Sequence, residues 1–179
     1  MQLSIIIPCL NERKYLPQIL NKIEAVKIPG VSKQIIIVDD GSTDGTADII
    51  KKDFPQYTLI VSDRNYGKAH AIRLGLPKAT GDIVLIQDAD LEYDPADYPA
   101  LIKPFIENDA KVVYGSRILK SSNGKSSELY YLGGRFLSLM TNIIWGAKVT
   151  DEATGYKLFK KGLLEELDLQ STGFEFCPE

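Results

Sequence analysis

The chain has 179 residues, of which 44% are apolar and 25% are charged, a composition typical of one soluble globular domain with its own core. Its 21 Lys and Arg against 24 Asp and Glu give a net charge of −3, which disfavours a nucleic-acid-binding protein, a class that is usually basic. Cys9 and Cys177 are the only cysteines. They are too few for a zinc site, and a reducing compartment is the simplest expectation. No signal peptide and no run of about 18 apolar residues is visible in the sequence.

Strands and helices are predicted to alternate over residues 1–115. Short apolar runs predict strands, and apolar residues at helical spacing predict the helices between them. Strands are expected at 3–8, 34–38, 57–61, 83–86 and 112–115, and helices at 16–23, 44–52, 68–78 and 95–108. This order implies βαβ crossovers, and hence an α/β fold with a Rossmann-like, mostly parallel central sheet and helices on both faces. The alternation then ends, and we expect a polar loop at 119–127, an apolar helix at 129–145, a turn with a short strand at 151–160 and a last helix at 162–167.

Each of the five predicted strands ends in polar residues. The runs that follow them are Pro8-Cys9-Leu10-Asn11-Glu12, Asp39-Asp40-Gly41-Ser42, Ser62-Asp63-Arg64-Asn65, Asp88-Ala89-Asp90 and Ser116-Arg117. In open α/β sheets, ligands bind outside the carboxyl ends of the strands. The sequence therefore predicts a ligand site at the edge where these ends meet.

The sequence Asp88-Ala89-Asp90 follows the apolar strand at 83–86. Two carboxylates one residue apart can share a hard cation such as Mg²⁺ or Mn²⁺, because such ions prefer carboxylates, water and phosphate oxygens. Ala89 leaves room for a ligand to approach the backbone, and Glu92 can add a third oxygen. Such pairs also occur in ordinary surface turns, but a position among four other polar strand ends favours a functional site.

Acidic residues also follow the second strand, and a lysine opens the third helix. Asp39 and Asp40 can accept hydrogen bonds from a base or a ribose, although an ordinary turn with a helix cap is the alternative. Lys68 lies at a helix N-terminus, where a cation is unfavourable unless an anion is near; a solvated lysine is the alternative. His70, the only histidine, is expected to pack or cap.

Together these motifs resemble family 2 of the glycosyltransferases, which have the GT-A fold, and most closely the branch that glycosylates polyprenyl phosphates such as dolichyl phosphate. The resemblance covers nearly the whole chain and is carried, in order, by IIIPCLNE at 5–12, VDDGSTDGT at 38–46, NYGK at 65–68, DAD at 88–90, GSR at 115–117, and TD with GYKLF between 150 and 159. It implies a single GT-A catalytic domain at 1–179, with a nucleotide-binding part at 1–117 and an acceptor-binding part at 118–179. The domain is expected to be truncated at a point where relatives continue into further helices.

The resemblance also implies roles for individual residues. A nucleotide-sugar of the GDP-mannose or UDP-glucose type would be bound by residues from several strand ends, namely Pro8, Leu10, Glu12, Asp39, Asp40, Lys68, Asp88, Ala89 and Asp90. The Mg²⁺ or Mn²⁺ would be held by Asp90, with Asp88 and Glu92 as further ligands. Lys157 stands where this branch commonly has arginine, and lysine lacks the planar fork of a guanidinium, so anion binding is not carried over there.

An inverting transfer requires stabilisation of the departing nucleoside diphosphate and, for a hydroxyl acceptor, a base. Arg117 and Asp151 are the predicted catalytic residues. Asp151 would act as base on a hydroxyl or would orient groups if the acceptor is an ionised phosphate; a capped turn is its structural alternative. Arg117 and Arg135 are expected to bind the acceptor phosphate. The helix at 129–145 would either receive a lipid-phosphate acceptor at a membrane surface or be a core helix. The protein is expected in the cytoplasm, bound peripherally to the cytoplasmic face of a membrane.

Other protein classes fit the sequence less well. A response-regulator receiver places its acids after the first and third strands, and a haloacid-dehalogenase-like phosphatase has Thr or Val where Leu91 stands. A sugar-1-phosphate nucleotidyltransferase needs a Gly-rich, Arg-containing loop that is missing at 8–12. Two alternatives stay open, which are transfer to a saccharide hydroxyl and a nucleotide-sugar-binding domain without turnover.

Overall fold

The computed structural model describes residues 1–116, 128–152 and 154–167, with side chains omitted for 128–132. Arg117, Cys177 and the predicted loop at 119–127 lie outside the described residues. The elements in chain order are β1 (Gln2–Cys9), α1 (Leu16–Ala25), β2 (Ser32–Asp39), α2 (Thr46–Asp53), β3 (Thr58–Val61), α3 (Lys68–Gly75), β4 (Ile83–Ile86), α4 (Tyr98–Glu107), β5 (Val112–Tyr114), α5 (Glu128–Trp145), β6 (Lys157–Lys160) and α6 (Lys161–Glu166). The predicted elements are present, with ends that differ by a few residues.

The central sheet has six strands in the order β3-β2-β1-β4-β6-β5. β1 pairs in parallel with β2 and β4, and β2 pairs in parallel with β3. β6 is antiparallel to both β4 and β5, so β5 runs in the same direction as β4. The predicted α/β fold with a mostly parallel sheet is therefore confirmed, although the antiparallel insertion of β6 was not predicted. The ends of β1 to β5 and the start of β6 meet along one side of the sheet, called the carboxyl edge below.

The side chains of β1 explain why helices cover both faces of the sheet. Ile5 and Ile7 pack in a cluster with α1 and α4, whereas Ile6 packs in a second cluster with α3 and α6. Successive side chains of a strand point to opposite faces, so an unbroken apolar run is stable only when both faces are covered. Gly75 lets α3 approach the sheet closely, because a Cβ atom there would lie 2.8 Å from Cγ2 of Ile6.

Helix α5 exposes a large apolar surface. Ser138 is buried, but Ile143 is 69% and Trp145 74% exposed. The exposed apolar set is Phe136, Leu137, Leu139, Met140, Ile143, Ile144 and Trp145. Within the described residues, these side chains of α5 are therefore not covered by the rest of the protein. None of the described helices combines the length and apolar character needed to cross a membrane.

Candidate functional site

The loops after β1 and β2 are joined by hydrogen bonds through Asn11. Its backbone amide donates to Oγ of Ser42 at 2.8 Å, and its Oδ1 accepts from the amide of Thr43 at 2.9 Å. Asn11 has a φ of 57°, a left-handed conformation that asparagine adopts more readily than most residues. Pro8, near the end of β1, is buried, and Leu10, the first residue after β1, is exposed.

Asp39 and Asp40 are buried carboxylates with only part of their hydrogen-bonding capacity used. Oδ1 of Asp39 accepts from the amide of Ser42 at 2.8 Å. Oδ2 of Asp40 accepts from the amides of Tyr66 and Gly67, at 2.9 and 2.7 Å. The remaining oxygens, Oδ2 of Asp39 and Oδ1 of Asp40, are buried without a hydrogen-bond partner. Each carboxylate is therefore held in a fixed orientation by backbone amides at the end of β2.

Gly41 brings the loop after β2 against the loop after β3. Its φ is +79°, and a Cβ atom built on it would lie 2.5 Å from the carbonyl carbon of Arg64 and 2.9 Å from the amide nitrogen of Asn65. A side chain therefore fits neither the backbone conformation nor the available space. This contact places the amides of Tyr66 and Gly67 within reach of Asp40.

Buried polar atoms without a hydrogen-bond partner mark the same region. Within the described parts of the chain, all five such side-chain atoms lie near the carboxyl edge, and they are Asp39 Oδ2, Asp40 Oδ1, Ser62 Oγ, His70 Nδ1 and Ser116 Oγ. Buried polar groups in native proteins are nearly always paired. Their concentration at one edge marks the carboxyl edge as a polar region of the otherwise apolar core.

Asp88 lies at the carboxyl end of β4 in a polar network. Its Oδ1 forms an ion pair with Nζ of Lys68, at the N-terminus of α3. The preceding Gln87 is fully buried, and its Oε1 accepts from the hydroxyls of Tyr98 at 2.7 Å and Tyr156 at 3.0 Å, while its Nε2 donates to the carbonyl of Asp88 at 2.9 Å. The structural role of Gln87 was missed in the sequence, although a glutamine directly after a fully apolar strand was a detectable signal.

The surroundings of Asp90 are rich in negative charge. Burial, and then the charges of Asp90 and Asp44, raise the pKa of Glu12. Oδ1 of Asp90 accepts from the amide of the exposed Glu92 at 3.0 Å. No group of three or more His, Cys, Asp or Glu side chains suited to a metal ion forms in the described parts of the chain. Asp88 and Asp90 are carboxylates one residue apart after β4, and carboxylates together with water and ligand phosphates are the oxygen donors that Mg²⁺ or Mn²⁺ prefers.

The segment before β6 packs against Asp88. The amide of Gly155 donates to the hydroxyl of Tyr93 at 2.6 Å, and the rings of Tyr93 and Tyr156 lie 4.6 Å apart. A Cβ atom on Gly155 would lie 2.7 Å from Oδ2 of Asp88. Asp151, a predicted catalytic residue, is buried in the same segment.

Two other basic residues were considered as anion-binding residues in the sequence, Lys157 and Arg135. Lys157 is buried at the start of β6, with Nζ 4.7 Å from the centre of the Tyr114 ring. Arg135, a predicted acceptor-phosphate residue, has an exposed side chain on α5. Arg117 lies outside the described residues, so its predicted catalytic and acceptor roles remain predictions.

A cleft of about 760 Å³ lies between α5 and the segment that contains Asp151. Its lining is mainly apolar and includes Val112, Tyr114, Leu137, Met140, Trp145 and Val149. Two connections hold α5 to this segment. Ser138 Oγ accepts from the amide of Glu152 at 3.0 Å, and Asn142 exchanges hydrogen bonds with the backbone of Val149 at 2.8 and 2.9 Å.

Comparison with solved structures identifies the class of fold. Glucosyl-3-phosphoglycerate synthase from Mycobacterium tuberculosis, solved with Mn²⁺, UDP and phosphoglyceric acid, superimposes with a TM-score of 0.70 over 91% of this chain and 57% of that chain, at 22% identity. A mannosyltransferase from Pyrobaculum calidifontis, solved with GDP-Man and Mn²⁺, gives a TM-score of 0.65 over 95% of this chain and 47% of that chain, at 24% identity. The chain therefore has the GT-A glycosyltransferase fold.

Sequence comparison identifies the family. The model of glycosyl transferase family 2 matches residues 4–168, and the chain belongs to this family. The chain is similar to the low-salt glycan biosynthesis hexosyltransferase Agl6 of Haloferax volcanii, at 31% identity over 99% of this chain and 43% of the relative. It is also similar to dolichol-phosphate mannosyltransferase of Pyrococcus furiosus, at 29% identity over the whole chain and 52% of the relative. The chain thus spans about half the length of these two relatives.

Proposed function

We propose that this chain is the donor-binding and catalytic part of a metal-dependent, inverting glycosyltransferase that moves a sugar from a nucleotide-sugar to a polyprenyl phosphate. The observation that carries the proposal is the convergence at the carboxyl edge of the buried Asp39 and Asp40, the Lys68–Asp88 ion pair and the Asp90 carboxylate. Family membership supports sugar transfer, and relatives named for dolichol phosphate and undecaprenyl phosphate support the acceptor class.

The donor nucleotide would extend across the ends of β2, β1 and β4. Asp39 and Asp40, which backbone amides hold at the end of β2, would accept hydrogen bonds from its base and ribose. Pro8 near the end of β1, and Leu10 and Glu12 in the loop after it, would line the pocket. This order along the sheet would place the diphosphate at the end of β4, next to Asp88 and Asp90.

The diphosphate would lie beside Lys68, Asp88, Ala89 and Asp90. Lys68 would bind a phosphate oxygen, because it is the first residue of α3 and a helix N-terminus favours anions. Asp90 would hold the Mg²⁺ or Mn²⁺, with Asp88 and Glu92 as additional ligands. When bound, such an ion neutralises charge on the leaving diphosphate.

The transfer itself forms one bond and breaks another. An acceptor oxygen bonds to the anomeric carbon while the bond from that carbon to the diphosphate oxygen breaks, and the electron pair leaves with the nucleoside diphosphate. Lys68 and Arg117 would stabilise the charge that develops on the leaving group. For a hydroxyl acceptor, Asp151 would take the proton; a phosphate acceptor is largely ionised near neutral pH, so Asp151 would orient it instead.

A lipid-phosphate acceptor suits the apolar features beside Asp151. The cleft along α5 and the exposed Ile143 and Trp145 could receive an isoprenoid chain at a membrane surface. Arg117 and Arg135 would bind its phosphate. The chain would then work in the cytoplasm, attached peripherally to the cytoplasmic face of a membrane.

A thermal-shift panel with UDP-, GDP- and dTDP-sugars, each with Mg²⁺, Mn²⁺ or EDTA, tests donor and metal binding. We expect metal-dependent stabilisation by one nucleotide class in the unaltered chain and in Asp53→Asn, an exposed position at the far end of α2. The stabilisation should be lost in Asp90→Asn. An equal response from Asp90→Asn would remove Asp90 from the metal site.

Acceptor choice is tested by release of nucleoside diphosphate with a detergent-solubilised polyprenyl phosphate or with saccharides. Release that depends on the lipid phosphate supports the proposal. Release with saccharides alone favours the hydroxyl-acceptor alternative. Donor binding without any turnover favours a binding domain.

A further inference from the structure

The backbone that leads into β6 passes close to the carboxylate of Asp88. A Cβ atom on Gly155 would lie 2.7 Å from Oδ2 of Asp88, which leaves no room for a side chain at this position. The other oxygen of the carboxylate, Oδ1, is paired with Lys68. Asp88 is therefore held between a cation of α3 and the segment at 154–156, and a shift of that segment would change the position of the carboxylate.

The hydroxyl of Tyr93 fixes the position of Gly155. It accepts a hydrogen bond from the amide of Gly155 at 2.6 Å, and a Cβ atom on Gly155 would lie 2.7 Å from Cε2 of the Tyr93 ring. The ring itself is buried and lies 4.6 Å from the ring of Tyr156. Because the ring is enclosed, its hydroxyl cannot follow a displaced Gly155, and the hydrogen bond specifies one position of the backbone.

A second connection joins the same segment to β4, but through a side chain. The hydroxyl of Tyr156 donates to Oε1 of Gln87 at 3.0 Å, and Nε2 of Gln87 donates to the carbonyl of Asp88 at 2.9 Å. The hydrogen bond of Tyr93 differs from this one because it holds the backbone of Gly155 itself. Tyr93 is therefore the side chain whose loss would act most directly on the contact between Gly155 and Asp88.

The hydrogen bond between Tyr93 and Gly155 also joins the two halves of the proposed site. Tyr93 follows Asp90 by three residues in the connection from β4 to α4, and Gly155 follows Asp151 by four residues. In the proposed function, Asp88 and Asp90 face the diphosphate of the donor, and Asp151 faces the acceptor. The hydrogen bond would therefore set how the acceptor-side carboxylate lies relative to the donor-side pair.

We propose that Tyr93 is a positioning residue for sugar transfer, whose hydroxyl holds segment 154–156, and with it Asp151, in place against Asp88. The inference rests on the proposed function and concerns how its two substrates are aligned. Tyr93 would touch neither substrate and would act through Gly155. Without the hydroxyl, the partly buried amide of Gly155 has no acceptor, a state that costs free energy and that the segment can relieve by moving. A displacement of about 1 Å can lower the rate of transfer about a hundredfold while each substrate still binds.

The test compares the unaltered chain with Tyr93→Phe and Tyr57→Phe, using the nucleotide-sugar that the thermal-shift panel selects. Tyr93→Phe keeps the ring and removes only the hydroxyl. Tyr57→Phe is the matched control, since it removes a hydroxyl that binds Glu24 and lies just before β3, at the end of the sheet opposite to the site. Calorimetry measures the affinity for the nucleoside diphosphate with Mn²⁺, and circular dichroism checks that each variant is folded. Release of nucleoside diphosphate is then measured with detergent-solubilised polyprenyl phosphate and, separately, with water as the only acceptor.

We expect Tyr93→Phe to bind the nucleoside diphosphate within about twofold of the unaltered chain and to lose about tenfold or more of its lipid-dependent kcat. Release to water, which does not use the lipid phosphate, should change by less than about threefold. Tyr57→Phe should match the unaltered chain in all three measurements. Unchanged lipid-dependent release in Tyr93→Phe, or an equal loss of binding and of both releases, would overturn the positioning role while leaving the proposed function intact. Absence of lipid-dependent release by the unaltered chain would overturn the proposed function and the role of Tyr93 with it.

Gly155→Ala tests the same contact from its other side. Its Cβ atom would press on both Oδ2 of Asp88 and the ring of Tyr93, so we expect it to weaken Mn²⁺-dependent nucleotide binding about tenfold or more, in addition to transfer. Gly162→Ala, where nothing lies within 4 Å of an added Cβ atom, should leave both unchanged. Nucleotide binding by Gly155→Ala at the affinity of the unaltered chain would show that segment 154–156 does not control the Asp88 carboxylate, and would overturn the proposal.

Discussion

Substitution of Gly41 by alanine tests whether the loops after β2 and β3 form the site by close backbone contact. Gly41 has a φ of +79°, and its new Cβ atom would lie 2.5 and 2.7 Å from backbone atoms of Arg64. The left-handed conformation costs alanine roughly 1–2 kcal/mol, and crowding that no rotamer change can relieve adds about 1–3 kcal/mol. We expect a total loss of about 2–5 kcal/mol in the free energy of unfolding.

Gly30 provides a matched control for this substitution. Its φ is +73°, yet no atom lies within 4 Å of an added Cβ, so Gly30→Ala should lose only the conformational part, roughly 1–2 kcal/mol. Urea unfolding followed by circular dichroism measures both variants. Nucleotide titration of the folded proteins should show weaker binding for Gly41→Ala alone, because displacement of the loop moves the amides that hold Asp40. Equal destabilisation of the two variants would refute the close-contact argument.

Two further predictions concern the end of β4. Gln87→Leu should lose roughly 2–5 kcal/mol of unfolding free energy, because two buried hydroxyls lose their acceptor. Tyr98→Phe removes only one donor and should lose about 1 kcal/mol. Similar urea midpoints for the two variants would contradict the hydrogen-bond network around Gln87. Lys68→Met should weaken nucleoside-diphosphate binding about tenfold or more through loss of a charge-assisted contact. Lys103→Met, in an exposed pair with Glu107, should leave calorimetric affinity nearly unchanged, and equal affinities for both variants would remove Lys68 from the site.

Much of the sheet could be predicted because its signals are local. The apolar runs of β1, β2 and β4 and the helical spacing between them indicate a parallel sheet without knowledge of any distant contact. β6 is different, since Lys157–Lys160 is a four-residue strand whose sequence contains no information about direction. Its antiparallel pairing with β4 and β5 depends on contacts between residues far apart in the chain.

The candidate site is also only partly predictable from the sequence. The positions of Asp39, Asp40, Asp88 and Asp90 at strand ends follow from the sequence, because a parallel sheet brings those ends to one edge. The partners of these residues do not follow from it. The pairing of Lys68 with Asp88 depends on how α3 packs on the sheet.

The sequence by itself determined the fold class, the family and the acidic strand ends, since each of these is a property of local pattern and order. Only the tertiary structure decided which buried oxygens of Asp39 and Asp40 remain unpaired, and that His70 lies beside one of them. It also decided that α5 turns its apolar side chains outward. These properties depend on hydrogen bonds and packing between segments that are distant in the chain, and a linear pattern does not encode those contacts.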